Sequence, residues 1–234
     1  MLRLAFENGK LQRPVIVKKL READPRAGFV TREQFATVRK QLPEELQVAT
    51  AVAFTFGWRK REVFDLKKPQ YDAKSGTLRL DPGKTKNREG RLIRLTPDLH
   101  AMLEAQAERV RALEKKLERV IPWLFPHLDG AYAGERIVDP RKAWAAACDA
   151  AGHPSLLMHD LRRSAVRNME QAAVPRSVAM KLTGHKTEAV YRRYTIVSDA
   201  DLAKAAERIA NADQAESAGH GALAPVVRLA DARS

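Results

Sequence analysis

The sequence predicts a mainly α protein with a small antiparallel β-sheet, an α+β class, and two observations carry that expectation. Between residues 31 and 210 most segments place apolar residues at helical spacing. One stretch from about residue 68 departs from this: TLRL and RLIRL alternate in period two, with SG, PG and REG supplying turn chemistry before and between them. At 234 residues and 44% hydrophobic content the chain is long enough to bury one real core.

Taken in order, residues 1–30 are mixed and hold Pro14 and Pro25. Thr31 then opens TREQFATVRKQL, with Gln34 in the reciprocal position of a capping box. EELQVATAVAFTFG follows as a nearly continuous apolar run, which as a helix is buried on most sides and ends at Gly57. After the two strands, Thr96 and Pro97 form a cap and first-turn pair, and Leu99, Leu103, Val110, Leu113 and Leu117 line one face. A helix starts around Asp139 and Pro140 and stops near Gly152. Further helices fit HDLRRSAVRNMEQA, PRSVAMKLTG and SDADLAKAAERIA. Beyond residue 211 Ala and Gly dominate and periodicity is lost, so residues 212–234 are expected to form a mobile tail.

The formal net charge is +13, while that tail contributes −1, so the positive charge belongs to the rest of the chain. Such an excess favours polyanionic partners, nucleic acid above all, through attraction that salt weakens. Cys148 is the single cysteine, which excludes an intramolecular disulfide and a cysteine-based metal site. The sequence has neither a signal-peptide core nor a run of the ~20 apolar residues needed to span a bilayer, so the reading is a soluble, cytoplasmic protein.

GKT at 83–85 is not a phosphate-binding loop, because the required glycine five residues earlier is replaced by Leu78. HExxH, calcium-loop and GxSxG motifs are absent as well, leaving ATP-driven and metalloprotease chemistry without support. What remains is a scattered set of phosphate-competent groups: Arg59, Lys86, His159, Arg162, His185 and a tyrosine, Tyr191 or Tyr194. These are the residue types that metal-free attack on a phosphodiester requires. Guanidinium forks hold non-bridging oxygens, a histidine takes the nucleophile's proton and a lysine protonates the departing oxygen. Each has a structural rival: Arg59 can pair with Glu62 one turn on, Arg163 competes with Arg162, and Lys86 shares its loop with Lys84 and Arg88. Trp58, Trp123 and Trp144 are read as packing groups.

GWRKRE, TKNREGR, HDLRR, LTGH and AVYRRY stand in the order and approximate spacing of the tyrosine recombinase (phage integrase) family, and from about residue 28 to 210 the chain resembles its catalytic domain. By that resemblance Arg59, Lys86, His159, Arg162 and His185 match the catalytic set. Glu62 matches the supporting acid, and Tyr194, nine residues after His185, matches the nucleophile. Lys84, Arg88, Arg163 and Lys186 are further candidate DNA contacts.

The resemblance implies a site-specific recombinase of a mobile element, working through a 3′-phosphotyrosine intermediate without metal, cofactor or ATP. It also implies double-stranded DNA as partner, a tetramer on DNA with a monomer in its absence, accessory DNA-bending proteins and nucleoid association. Residues 1–27 then resemble the end of an N-terminal core-binding domain or linker, and 28–211 the catalytic domain. The helix from Ser198, or the tail after it, is expected to dock on a neighbouring subunit. A type IB topoisomerase-like activity and a non-catalytic helix-turn-helix DNA-binding protein are the alternatives; a basic RNA-binding protein has less support, since no stacking-aromatic motif is present.

Overall fold

A computed structural model describes residues 2–13, 15, 28–83, 90–194, 201–203 and 205–211. The expected loop positions Lys84, Lys86 and Arg88, most of the N-terminal remnant and the 212–234 tail lie outside the described residues.

After a short α1 (Leu2–Glu7), α2 (Arg32–Lys40) starts on a complete capping box: Gln34 N–H donates to Thr31 Oγ1 at 3.2 Å and Gln34 Oε1 accepts from Thr31 N–H at 3.0 Å. α3 (Glu44–Phe56) is the central helix, with ten of its thirteen residues buried, as its apolar run requires. It packs on α2, where Phe35 and Phe54 stack with ring centroids 4.2 Å apart, and on α5 (Pro97–Leu117) and α7 (Asp160–Gln171).

α3 stops at Gly57, which adopts φ 67° and ψ 23° as a left-handed cap and donates its N–H to Ala53 O. A one-turn α4 (Lys60–Phe64) follows directly, an element too short to show helical periodicity in sequence. The sheet is antiparallel in the order β1 (Tyr71–Asp72), β2 (Thr77–Leu80), β3 (Arg91–Arg94). Its inward face carries Leu78, Leu80 and Ile93.

α5 (Pro97–Leu117) begins at Thr96, whose Oγ1 accepts from Leu99 N–H, and buries Leu99, Leu103, Val110 and Leu113 along one stripe. α6 (Arg141–Ala150) places Trp144 and Cys148 in the main core. α7 (Asp160–Gln171), α8 (Arg176–Thr183) and α9 (Glu188–Arg192) build a second apolar cluster from Ala165, Val166, Met169, Ala179 and Tyr191.

The tryptophans pack as the sequence suggests. Trp58 and Trp144 are buried with their indole N–H groups donated to Leu182 O and Leu156 O, both at 3.0 Å, and the partly buried Trp123 has the cations of Lys67 and Arg136 each 5.6 Å from its ring centre.

Gly57 is a tight joint at the centre of this frame. A Cβ there meets Thr183 Cγ2 at 3.1 Å and Ala165 Cβ at 3.2 Å, on a backbone that disfavours side chains. Gly57→Ala is therefore expected to lower stability by about 1–3 kcal/mol, read as a lower urea midpoint with an unchanged slope. A midpoint equal to wild type would contradict this packing.

Candidate active site

The site is built on the first turn of α7. His159 occupies the position before the helix and Arg162 lies three residues on, its side chain 1% exposed. A guanidinium buried this deeply requires acceptors, and Arg162 finds them in two segments far apart in sequence. Its Nη1 donates to Gly57 O at the end of α3 and to Thr183 O at the end of α8, the latter at 2.7 Å. Its Nη2 donates to His185 Nε2 at 2.8 Å. Burial, and then the charge of nearby Arg59, work against the Arg162 cation and lower its pKa to about 10, so it remains charged at neutral pH.

That contact fixes the state of His185. Arginine can only donate, so Nε2 must be the unprotonated acceptor and Nδ1 carries the proton, donated to Thr183 Oγ1 at 2.7 Å. The Thr183 hydroxyl in turn donates to Ala179 O at 2.8 Å. Burial, followed by the charges of Arg162, Arg59 and Arg91, pushes His185 down to about 3, leaving a neutral ring.

Gly184 turns the chain between these residues at φ 71°, and a Cβ there would meet the Arg91 guanidinium. The glycine of the GH pair is therefore favoured by conformation, and a side chain there would also have to displace Arg91.

Arg59 approaches from the other side, just before α4. Glu62 accepts from the Arg59 backbone N–H and from its Nη1, both at 2.9 Å, so the pairing foreseen as a rival exists. It aims Arg59 rather than removing it from the site: the side chain stays 28% exposed and lines one cavity with His159 and Arg162.

Glu62 also holds Arg91 Nη2 at 2.6 Å, and the Arg91 guanidinium lies 5.5 Å from the centre of the Trp58 ring. Arg91 closes the TKNREGR motif, where the neighbouring sequence gives it no role of its own. The signal was present: in β3, Arg91 and Ile93 share the inward face, while Leu92 between them is 67% exposed. Thr183 carries no such signal: nothing in LTGH marks it as the group that sets a histidine tautomer.

Both tyrosine rings lie beside His185, at 5.4 Å for Tyr191 and 4.8 Å for Tyr194, but they differ in burial and in what their hydroxyls reach. Tyr191, in α9, is fully buried beside His185, with ring centroids 5.4 Å apart. Burial, together with the neighbouring Glu170 carboxylate, pushes its phenol well above the ordinary value. Tyr194 sits just after α9, half-buried, with its hydroxyl 3.3 Å from His159 Nε2. The Arg162 guanidinium lies 5.4 Å from the centre of its ring. His159 itself is held below the usual histidine value, first by desolvation and then by Arg162 and Arg163, so its ring is neutral and can accept a proton.

Arg163, the competitor of Arg162, donates to Asp160 at 3.0 Å, with that carboxylate fully buried. Lys186 is exposed.

Beyond Tyr194, residues 201–203 and 205–211 are helical. Asp201, in the first of these segments, is tied to the chain's own α7. Asp201 accepts from Arg167 Nη2 at 3.0 Å on both oxygens and from Gln171 Nε2 at 2.6 Å, and Arg167 lies 4.1 Å over the Phe29 ring. Among the described residues no group of three or more His, Cys, Asp or Glu could hold a metal ion, and no helix is long and apolar enough to cross a membrane.

The sequence profile described as the Phage integrase family matches residues 30–201, most of the chain. The chain belongs to the phage integrase family. No curated protein sequence matches it. Its fold is that of the solved XerA recombinase, at 14% identity and a TM-score of 0.64, over 77% of this chain and 64% of that one. It also matches the Tn1549 transposon integrase in complex with circular intermediate DNA, at 10% identity and a TM-score of 0.61, over 88% and 74%. The catalytic domain of bacteriophage HP1 integrase matches at 16% identity and a TM-score of 0.51, over 78% of this integrase-family chain and 95% of the phage domain. The chain spans less than two thirds of the length of XerA recombinase and about half that of XerH recombinase.

The His185 environment makes a signed prediction for pH. Its folded pKa lies below the unfolded value, so as pH falls from about 6.5 toward 3 the unfolded chain gains a proton that the folded one refuses. Stability is lost over that window, on the order of 1 kcal/mol per pH unit. Urea unfolding of wild type and His185→Gln at pH 7, 6 and 5 should show a shallower acid loss in the variant; parallel curves would contradict a buried neutral His185.

Proposed function

We propose that this phage integrase family member is a site-specific DNA recombinase that cuts and rejoins strands through Tyr194. The observation that carries the reading is the convergence, around one half-buried phenol, of His159 at 3.3 Å and the Arg162 guanidinium 5.4 Å from the ring centre, with Arg59 sharing a cavity with those two residues. The Arg162 Nε N–H is buried and has no acceptor among the described residues, which suits it to donate to an anionic oxygen placed beside it. Support for DNA as the substrate comes from the +13 charge of the chain. It comes also from fold neighbours solved on DNA, among them XerH recombinase on a difH substrate in a post-cleavage complex.

In this mechanism the Tyr194 oxygen attacks the scissile phosphorus in line while His159 Nε2 takes the phenol proton. The bond from phosphorus to the 5′ oxygen breaks, leaving a 3′-phosphotyrosine and a 5′ hydroxyl whose proton Lys86 supplies. Arg59 and Arg162 stabilise the charge on the non-bridging oxygens. Attack by a partner strand's 5′ hydroxyl reverses the step, and the covalent link conserves the bond energy, so no nucleotide is consumed. His185 acts by holding Arg162: both its ring nitrogens are engaged, one by that arginine and one by Thr183. A tetramer on DNA and docking of the terminal helix on a neighbour belong to the same proposal, and docking would require the Asp201 clasp to α7 to be kept or exchanged.

On a nicked suicide substrate, wild type and Tyr191→Phe should both form covalent protein–DNA product, and Tyr194→Phe none. Covalent product from Tyr194→Phe would overturn the assignment. Arg162→Lys should slow trapping by roughly a hundredfold or more, because a single ammonium cannot satisfy two carbonyls, a histidine and a phosphate at once.

A further inference from the structure

A cavity of about 490 Å³ opens beside Arg59, His159 and Arg162, between α6, the loop before α7 and the start of α4. Strand cleavage as proposed above uses only its edge. Its size is that of a small-molecule site. Its walls are Trp58, Trp144, Leu156, Leu157 and Met158. Both tryptophans have given their N–H groups to backbone carbonyls and are almost wholly buried, so they back the chamber while Leu157 and Met158 present its accessible apolar surface.

Leu157 stays 50% exposed there, an apolar side chain at the cavity that the fold itself does not bury. The lining also carries four cations, Arg59, Lys60, Arg141 and Arg162, against two neighbouring carboxylates, Glu62 and Asp139. Asp139 is shared between Lys60 at 3.2 Å and Arg141 at 2.6 Å, which leaves the edge cationic overall.

We propose that this cavity is a binding site for a flat aromatic group bearing a phosphate, with the ring against the tryptophan and leucine wall and the anionic head at Arg59 and Arg162. An apolar chamber beside guanidinium donors selects both halves of such a ligand at once: the exposed part of Arg59 and the Arg162 Nε N–H, which has no acceptor among the described residues, supply the charge-assisted hydrogen bonds and the walls remove the ring from water. Inorganic phosphate satisfies only the first half. The inference does not rest on strand transfer; a chain that failed to form covalent product would still bind such a ligand. Two sources carry this chemistry, a free aryl phosphate or a nucleotide flanking a DNA phosphate held at the arginines.

The test is calorimetric, with 1-naphthyl phosphate and inorganic phosphate as probes and the whole chain as receptor. Naphthyl phosphate should bind roughly tenfold or more tightly than inorganic phosphate, the expected worth of burying a ring. Two neutral substitutions at exposed wall positions separate the cavity from the arginines: Ala145→Gln fills it with an amide, and Leu157→Asn strips apolar wall. Each should remove most of the naphthyl advantage while leaving inorganic phosphate within about twofold of wild type.

Equal affinity of wild type for the two probes would overturn the proposal. So would a naphthyl advantage that survives in both variants while their thermal unfolding matches wild type. A short duplex at low salt, measured in parallel, distinguishes the sources. Duplex affinity lost in Ala145→Gln assigns the cavity to a DNA nucleotide, and unchanged duplex affinity assigns it to a free aryl phosphate.

Discussion

A guanidinium cannot be taken out of water unless acceptors surround it, and the architecture around Arg162 is arranged to satisfy that demand. Gly57 O comes from the end of α3, Thr183 O from the end of α8, and His185 Nε2 from the turn beyond. Removing one partner of such a buried charge typically costs about 3–5 kcal/mol, because the charge is then left buried without its acceptor. Two glycines make the approach possible: Gly57, where the backbone turns under Ala165 and Thr183, and Gly184, where it passes against Arg91. The same requirement fixes the histidine. Because Arg162 can only donate, His185 is neutral and its proton is directed to Thr183.

From that fixed point the difference between the tyrosines follows. Three residues apart, Tyr191 and Tyr194 would share a face of a continuing helix, but α9 ends at Arg192 and the chain turns. Tyr191 stays inside, packed with Ala179 and Met169 against the edge of the His185 ring, where an ionised phenol is strongly disfavoured. Tyr194 emerges on the side of His159 and Arg162. One residue is a wedge behind the histidine and the other stands before the charged groups.

Much of this was legible in the sequence. Capping residues at Thr31 and Thr96, the apolar run of α3 and the stop at Gly57 all appear where local chemistry places them. The motif spacing named Arg59, His159, Arg162, His185 and Tyr194, which the fold brings together. What stayed hidden depended on long-range contact. Arg91 reads as one more basic residue beside a turn until β3 brings it under Glu62 and Trp58. Thr183 reads as helix filler until its hydroxyl meets His185. The cavity beside α6 is assembled from three segments, none of which carries a periodic or motif signal.

The arrangement is tested most directly by locating the nucleotide on the protein after trapping on a nicked substrate and nuclease digestion. Trypsin separates the two candidates, because cleavage after Lys186, Arg192 and Arg193 puts Tyr191 in TEAVYR and Tyr194 at the head of YTIVSDADLAK. Mass spectrometry should find the phosphonucleotide on the peptide spanning 194–204 and unmodified TEAVYR in full yield. A nucleotide on TEAVYR would mean that the buried phenol is the reactive one and that the geometry around Arg162 does not select the nucleophile.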